Sequence, residues 1–579
     1  MENIRLYFSN RENVNRLLNR WDVLLLILVV SVLFVLGWSG KNMATPYSIG
    51  DPLPISLDPT QLPFYASRTV LRMFIALLFS LLFTLIFGTL AAKNSRAERI
   101  IVPALDILQS VPVLSFLAIT VAGFIRLFPG SLLGPVCASF FAIFTAQVWN
   151  ITFSFYQSLK STPHDLIEAA NIFQLSPWQR FWKIEVPFSM PALLWNLMVS
   201  MSASWFFVVL SETIIVAHQN IHLPGVGSYI ALAISQHQLL PVGYAILTMI
   251  IVIFLYDQIL FRPLITWSEK FKMEQSPSEE EYHSWLIDWL RSSQLMKKVN
   301  RQLSHLKDMF IHAPIFQVKH GSQTKKPDRL QRKYVDLLWN FIILIMIAGS
   351  SYLLLRYILT ELKFREIVHV LLLGSATGIR VIVSIILSSI IWIPVGVWIG
   401  MRSSLAQKIQ PIIQFIAAFP ANLFYPLFVI MIVQFHLNVE IWITPLMILG
   451  AQWYILFNVI AGASLIPRDL CLVADNFGVK GWQWWKRLAL PGIFPFYITG
   501  AITAAGGAWN ASIVTEMVSW GDTTLTATGL GEYIQASTIA GDFPKIALGT
   551  AMMCLYVVTF NHLIWRPLHR FALDRFNLN

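Results

Sequence analysis

The sequence carries little charge for its length. Of 579 residues only 13% are Asp, Glu, Lys or Arg and 56% are hydrophobic, whereas soluble domains average about 25% charged. That balance excludes a disordered chain and a soluble enzyme held by one or two anchors. Cysteine is nearly missing. Cys137, Cys471 and Cys554 lie far apart, so no disulfide framework and no Cys-x-x-Cys pair can form. There is no Gly-x4-Gly-Lys-Ser/Thr phosphate loop and no His-Glu-x-x-His, so the chain is no ATPase of that kind and no zincin. His218, His222 and His237 share one loop without a metal-ligand spacing and are read as polar surface residues. No metal, no cofactor and no catalytic set is expected.

Apolar length is what the chain has in abundance. A bilayer crossing needs about 20 apolar residues, and such runs fall near 23–38, 69–92, 101–125, 131–150, 188–215 and 241–260, then near 335–357, 370–399, 411–434, 440–461, 492–515 and 546–565. The first follows Arg5, Arg11, Arg16 and Arg20 and has no convincing cleavage site in 40–46, so it reads as a retained anchor. The expectation is an all-α polytopic membrane protein of about twelve spans. Basic residues obey an alternation. Lys93, Arg96, Arg99, Lys160, Arg180 and Lys183 fall on one side with the stretch from Arg262 to Lys333. Arg402, Lys408, Arg468, Lys480, Lys486, Arg487, Arg566, Arg570 and Arg575 join them. On the other side 216–240 has no Lys or Arg and 516–545 has only Lys545, with Lys363 and Arg365 the exceptions. The positive-inside rule then places both termini in the cytoplasm. The net charge of +11 belongs to membrane topology and lipid contact and needs no nucleic acid.

The chain repeats itself. Trp149, Pro163, Phe173, Trp178, Pro187, Pro191, Trp205 and Glu212 recur 304 positions later as Trp453, Pro467, Phe477, Trp482, Pro491, Pro495, Trp509 and Glu516. Gly225 and Gly227 recur at the same offset as Gly529 and Gly531. Upstream the offset is 308, pairing Arg72, Gly88, Pro103 and Pro112 with Arg380, Gly396, Pro411 and Pro420. Tryptophan, proline and glycine do not match by chance as leucines do. The reading is two six-span units in tandem, 1–275 and 335–579, joined by a charged cytoplasmic linker at 276–334. An even span count makes them parallel repeats about an axis along the membrane normal, with a pathway at their interface. Within the linker, Trp285, Leu286, Trp289 and Leu290 have the spacing of an amphipathic helix on the membrane surface. A simple tether is the favoured reading of the segment as a whole.

The most informative segments are two loops on the cytoplasmic side, 163–187 and 467–491. The first reads Glu168-Ala169-Ala170, then Gln174, then Ile184 and Pro187; the second reads Leu472-Val473-Ala474, then Gly478, then Leu488, Leu490 and Pro491. Pro163 and Pro467 suit helix starts, with Asp165 and Asp469 in first turns. A short helix–turn–helix ending before Pro187 or Pro491, with a face of small side chains fit for docking, is expected. This pattern resembles the Glu-Ala-Ala coupling loop of binding-protein-dependent ABC importer permeases. The first unit departs from it at Gln174, the second at Leu472-Val473. Ser110-Val111-Pro112, Phe419-Pro420 and the Gly-x-Gly segments resemble most the nitrate, sulfonate, taurine and bicarbonate branch, whose anion importers include duplicated permeases. The resemblance implies an all-helical, non-catalytic permease of a bacterial inner membrane. It implies two cytoplasmic ATPase subunits that use ATP, and an external solute-binding protein that delivers a small anion.

Inside the membrane, Glu212 and Glu516 follow Trp205 and Trp509 by seven residues, about two helical turns, which puts each pair on one face. An ionisable residue in a span invites a functional reading. A gate or an anchor for the outer Gly-x-Gly segment stands against a boundary carboxylate that caps N–H groups. Arg72 and Arg380 either draw an anion toward the pathway or snorkel to headgroups, and snorkelling is favoured. Intramembrane carboxylates would also serve the alternative function, an ion-coupled secondary transporter with a glutamate relay.

Overall fold

The computed structural model describes residues 26, 37, 55–110, 112–216, 219–271, 285–312, 329–520 and 523–576. The expected first span and its basic lead therefore lie outside the described residues, apart from Leu26 and Gly37. The first unit is built from α1 (Pro59–Lys93), α2 (Ser95–Ser110), α3 (Leu117–Leu127), α4 (Leu133–Lys160), α5 (His164–Ile172), α6 (Pro177–Ser211), α7 (Val226–Ser235) and α8 (Leu239–Ser268). Two linker helices follow, α9 (Trp285–Ser292) and α10 (Gln294–Ile311). The second unit comprises α11 (Arg329–Glu361), α12 (Phe364–Gly400), α13 (Ser403–Ala418), α14 (Tyr425–Gln434), α15 (Val439–Ser464), α16 (Arg468–Asn476), α17 (Trp482–Thr515), α18 (Leu530–Ala540) and α19 (Phe543–Ala572).

Among the described residues nine helices are long and apolar enough to cross a membrane, and a tenth crossing results if α13 and α14 count together. The all-α polytopic class holds. The spans expected near 101–125 and 411–434 are not continuous helices. Pro112 and Pro420 take extended backbone angles and open 3₁₀ turns at Val113–Phe116 and Ala421–Phe424. The α13–α14 pair is thereby bent by 68°. A proline has no N–H to give the preceding turn, and its ring crowds that turn, so each run breaks.

The repeat is visible in defects as well as in helices. Single π-helical turns sit at Phe181–Glu185 and Asp257–Phe261, and again at Trp485–Ala489 and Asn561–Trp565. Such turns widen the helix by one residue, often at functional sites. In both units the turn lets the helix run on through Pro187 or Pro491, where the sequence pattern had a helix ending.

Two β-hairpins interrupt the helical pattern, β1 (Thr213–Val216) with β2 (Gln219–His222), and β3 (Met517–Trp520) with β4 (Thr523–Thr526). They precede the Gly-x-Gly segments and lead into α7 and α18. The two units also exchange contacts reciprocally. Val113 N–H donates to Asn510 Oδ1 at 2.8 Å, Thr550 Oγ1 donates to the Ser115 carbonyl at 2.8 Å, and Ala418 and Leu423 join the first unit's core. Each broken span thus packs into the opposite unit, as a pseudo-two-fold interface requires.

Candidate functional site

At one end of the bundle, the hairpin end, each long helix delivers a buried glutamate. Glu212 follows α6 and is 0% exposed. The β1–β2 hairpin turns the chain back, and the Leu223 N–H donates to the Glu212 carbonyl at 2.8 Å. The glycines then allow a close approach. A Cβ at Gly225 would run into the Glu212 carboxylate, and one at Gly227 into the Val209 carbonyl. Glu212 Oε2 accepts the Gly227 N–H at 2.7 Å, while Oε1 accepts from Thr69 Oγ1 at 2.6 Å and from Arg72 Nη1 at 2.5 Å. Arg72 Nη2 donates to the Pro224 carbonyl at 2.9 Å. Thr69 Oγ1 also accepts the Val226 N–H at 3.1 Å.

The second unit builds the same cluster. Glu516, 0% exposed, accepts the Gly531 N–H at 2.7 Å, Thr377 Oγ1 at 2.8 Å and Arg380 Nη1 at 2.9 Å. Leu530 N–H donates to Thr377 Oγ1 at 2.8 Å. One addition is unique to this side. Glu440 pairs with Arg380 Nη2 and accepts from Thr528 N–H at 2.9 Å and Thr528 Oγ1 at 2.8 Å. A buried charge persists only where paired and hydrogen-bonded, and here each carboxylate oxygen has a donor.

These contacts correct two readings. Arg72 and Arg380, 1% and 9% exposed, do not snorkel to headgroups, because each is turned inward onto its glutamate. Nor do the glutamates lie at a lipid boundary where burial would cost little. Thr69 and Thr377 were missed, although they keep the 308-residue offset that pairs Arg72 with Arg380. Glu440 and Arg68 have no repeat partner and left no such signal. His222, on β2, has its imidazole pushed below its ordinary value by burial; among the described residues no group of three His, Cys, Asp or Glu side chains could hold a metal.

Trp205 and Trp509 are each 1% exposed. Trp205 meets Tyr256 edge-on at 5.6 Å and lines a crevice that Gln414, Phe415 and Ala418 of the second unit close. Trp509 meets Phe560 edge-on at 5.9 Å within its own unit.

At the opposite, loop end, α5 and α16 each end in a left-handed residue, Gln174 with φ 51° and Gly478 with φ 65°. The next N–H reaches back in both cases, Leu175 to the Ala170 carbonyl at 3.0 Å and Val479 to the Ala474 carbonyl at 2.9 Å. This closure fixes which face is free. Ala170 is 0% and Ala474 8% exposed, so the small residues pack inward and do not form a docking face. Exposed instead are Ile172 at 79%, Phe173 at 75%, Leu472 at 60%, Val473 at 48% and Phe477 at 80%. Glu168 also faces outward, and Ala169 is half-buried.

The loops differ in their surroundings. In the first, Glu185 pairs with Lys93 at 2.7 Å and Arg180 at 2.9 Å; its repeat partner is Ala489. The linker helix α10 reaches this loop. Trp178 Nε1 donates to the Phe310 carbonyl at 3.3 Å, the two rings are 5.2 Å apart, and Lys183 Nζ lies 3.4 Å from His312 Nε2. Trp482, the repeat partner of Trp178, is 73% exposed. The linker is therefore more than a tether, although α9 keeps its expected amphipathic start with Trp285 stacked on Trp289.

Two tandem helical units, each with a projecting helix–turn–helix at one end and a glutamate-pinned hairpin at the other, define a duplicated polytopic transport protein. The family follows from comparison. The model of the binding-protein-dependent transport system inner membrane component matches residues 84–262 and 392–565, and the chain belongs to that family. It is 26% identical over 185 residues to a nitrate import permease protein of Leptolyngbya laminosa, covering 32% of this chain and 63% of that protein. It is 30% identical over 135 residues to a bicarbonate transport system permease protein of Synechococcus elongatus, covering 23% and 47%. A glycine betaine/proline betaine transport system permease protein of Escherichia coli is 27% identical over 215 residues, covering 36% and 57%. The matched stretches thus span about half to 63% of these relatives' lengths.

Proposed function

We propose that this chain is the fused translocation subunit of an ATP-driven importer whose cargo is a small anion. The observation that carries the reading is the paired loop. At matched positions both units project an exposed phenylalanine, Phe173 and Phe477, beside a helix closed by the same left-handed turn. Exposed aromatic and aliphatic side chains in this setting suit insertion into a partner's cleft. Each loop would seat one cytoplasmic ATPase subunit, and ATP would be used there, not by this chain. The loop end then faces the cytoplasm and the hairpin end faces an external solute-binding protein. Both termini would lie inside, in a bacterial inner membrane, with 1–275 and 335–579 as the two units and 276–334 as the linker.

Relatives named for nitrate and bicarbonate support an anionic cargo. The Arg72–Glu212 and Arg380–Glu516 clusters would serve as braces of the external gate. Full hydrogen bonding of both glutamates weighs against the ion-coupled relay, which needs a carboxylate free to exchange its ion, and family membership leaves that alternative without support.

Uptake of labelled nitrate and bicarbonate by cells carrying the chain with its partner subunits tests the reading. Phe173→Glu or Phe477→Glu should lower uptake at least about tenfold, an effect of ~1.4 kcal/mol, at unchanged membrane level. Undiminished uptake driven by a proton gradient would refute it.

A further inference from the structure

Arg68 stands one helical turn before Arg72 on α1, and only 4% of it is exposed. Its guanidinium carbon lies 4.2 Å from the centre of the Phe64 ring. Yet its Nε is buried without a hydrogen-bond partner, and among the described residues no carboxylate pairs with it. A guanidinium offers five donors and does not deprotonate in proteins. Burying that Nε–H without an acceptor is costly, and a ring face satisfies no donor in the guanidinium plane.

The charge count sharpens the point. Arg72 pairs with the buried carboxylate of Glu212, and Arg68, one turn away beside Arg72, pairs with none among the described residues, which leaves the first cluster one positive charge in excess. In the second unit the position of Arg68 is held by Ala376, 308 residues on, and Arg380 meets two carboxylates, Glu516 and Glu440. The second cluster is one negative charge in excess. His222, two residues before the Pro224 carbonyl that Arg72 grips, also has a buried Nδ1 without a partner.

We propose that the first unit binds one small, planar, monovalent anion at Arg68. One charge balances the cluster. Small size follows from the burial of the side chain. Planarity follows from the fork of the guanidinium, which grips two oxygens of a trigonal oxyanion or a carboxylate in parallel. Because Ala376 has nothing to offer, the matching cluster of the second unit holds no such site. The site does not depend on the identity of the cargo, and a betaine importer would keep it.

The test uses the full chain purified in an uncharged detergent, with its thermal unfolding midpoint followed as chloride is replaced by nitrate or formate at constant ionic strength. The wild type should show a saturable rise with the planar anions. Arg68→Gln should lose that rise and melt no lower than the wild type in chloride. Arg68→Lys, which keeps the charge without the fork, should show a weakened rise, and it decides the matter if Arg68→Gln cannot be purified. No anion-dependent rise in the wild type, or an equal rise in Arg68→Gln, would overturn the proposal. So would a rise with short-chain phosphatidylglycerol but none with nitrate, which would assign Arg68 to a lipid phosphodiester. Copurification of a cytoplasmic ATPase with the wild-type chain reports separately on the importer reading, so the two can fail independently.

Discussion

Glu212 and Glu516 are the residues on which each hairpin end depends, and their partners make the dependence measurable. Glu212→Gln leaves Arg72 buried without its counter-charge, and breaking such a pair costs about 3–5 kcal/mol. The double variant Arg72→Met with Glu212→Gln should cost clearly less than the two single effects added, because both remove one interaction. Thermal unfolding of the four species in detergent checks this, and plain additivity would show that the pair is not coupled. The glycines give a second prediction. A Cβ at Gly227 or Gly531 meets backbone carbonyl oxygen, of Val209 or Ser512, which cannot move aside as a side chain can. Gly227→Ala and Gly531→Ala should each destabilise by about 1–3 kcal/mol, the range of overpacking. Gln174 points the other way. It holds a left-handed angle that costs a non-glycine residue about 1–2 kcal/mol, so Gln174→Gly should raise the unfolding midpoint.

Among the elements, the two loops at 163–187 and 467–491 were legible in the sequence and their exposed face was not. Spacing placed Glu168 to Pro187 and Leu472 to Pro491 on short helices, and the Gly478 position demanded a turn. The alanines were read as the docking face because small residues suit close approach. That same property lets them pack inward. Ala170 and Ala474 are buried against their own chain, and only three-dimensional packing reveals that Phe173 and Phe477 are what remains outside. Arginine at Ala170 would therefore disturb folding before it could report on docking. The linker was underestimated for a similar reason. Phe310 lies 132 residues from Trp178, and no local pattern announces a contact at that separation. Phe310→Ala should leave the second loop untouched and raise protease sensitivity between 285 and 312. Equal sensitivity in variant and wild type would mean that the Trp178 contact does not hold α10 in place.

For the whole molecule, the repeat of tryptophan, proline and glycine at fixed offsets gave the duplication, and hydropathy gave the helical membrane class. Three features escaped that level of reading. Proline-broken spans look continuous to hydropathy, because composition does not record the turn at Pro112 or Pro420. The hairpins are four residues per strand, too short for a period to emerge. The charge imbalance between the units arises from Arg68 and Glu440, which have no repeat partners. The proposed seating of two ATPase subunits on two matched loops of one chain is directly countable. The direct measurement is purification of the assembled complex from native membranes and a count of ATPase copies per chain. Two copies in the wild type, and one in either Phe173→Glu or Phe477→Glu, is the predicted result. A chain that purifies without any ATPase yet still transports would contradict it.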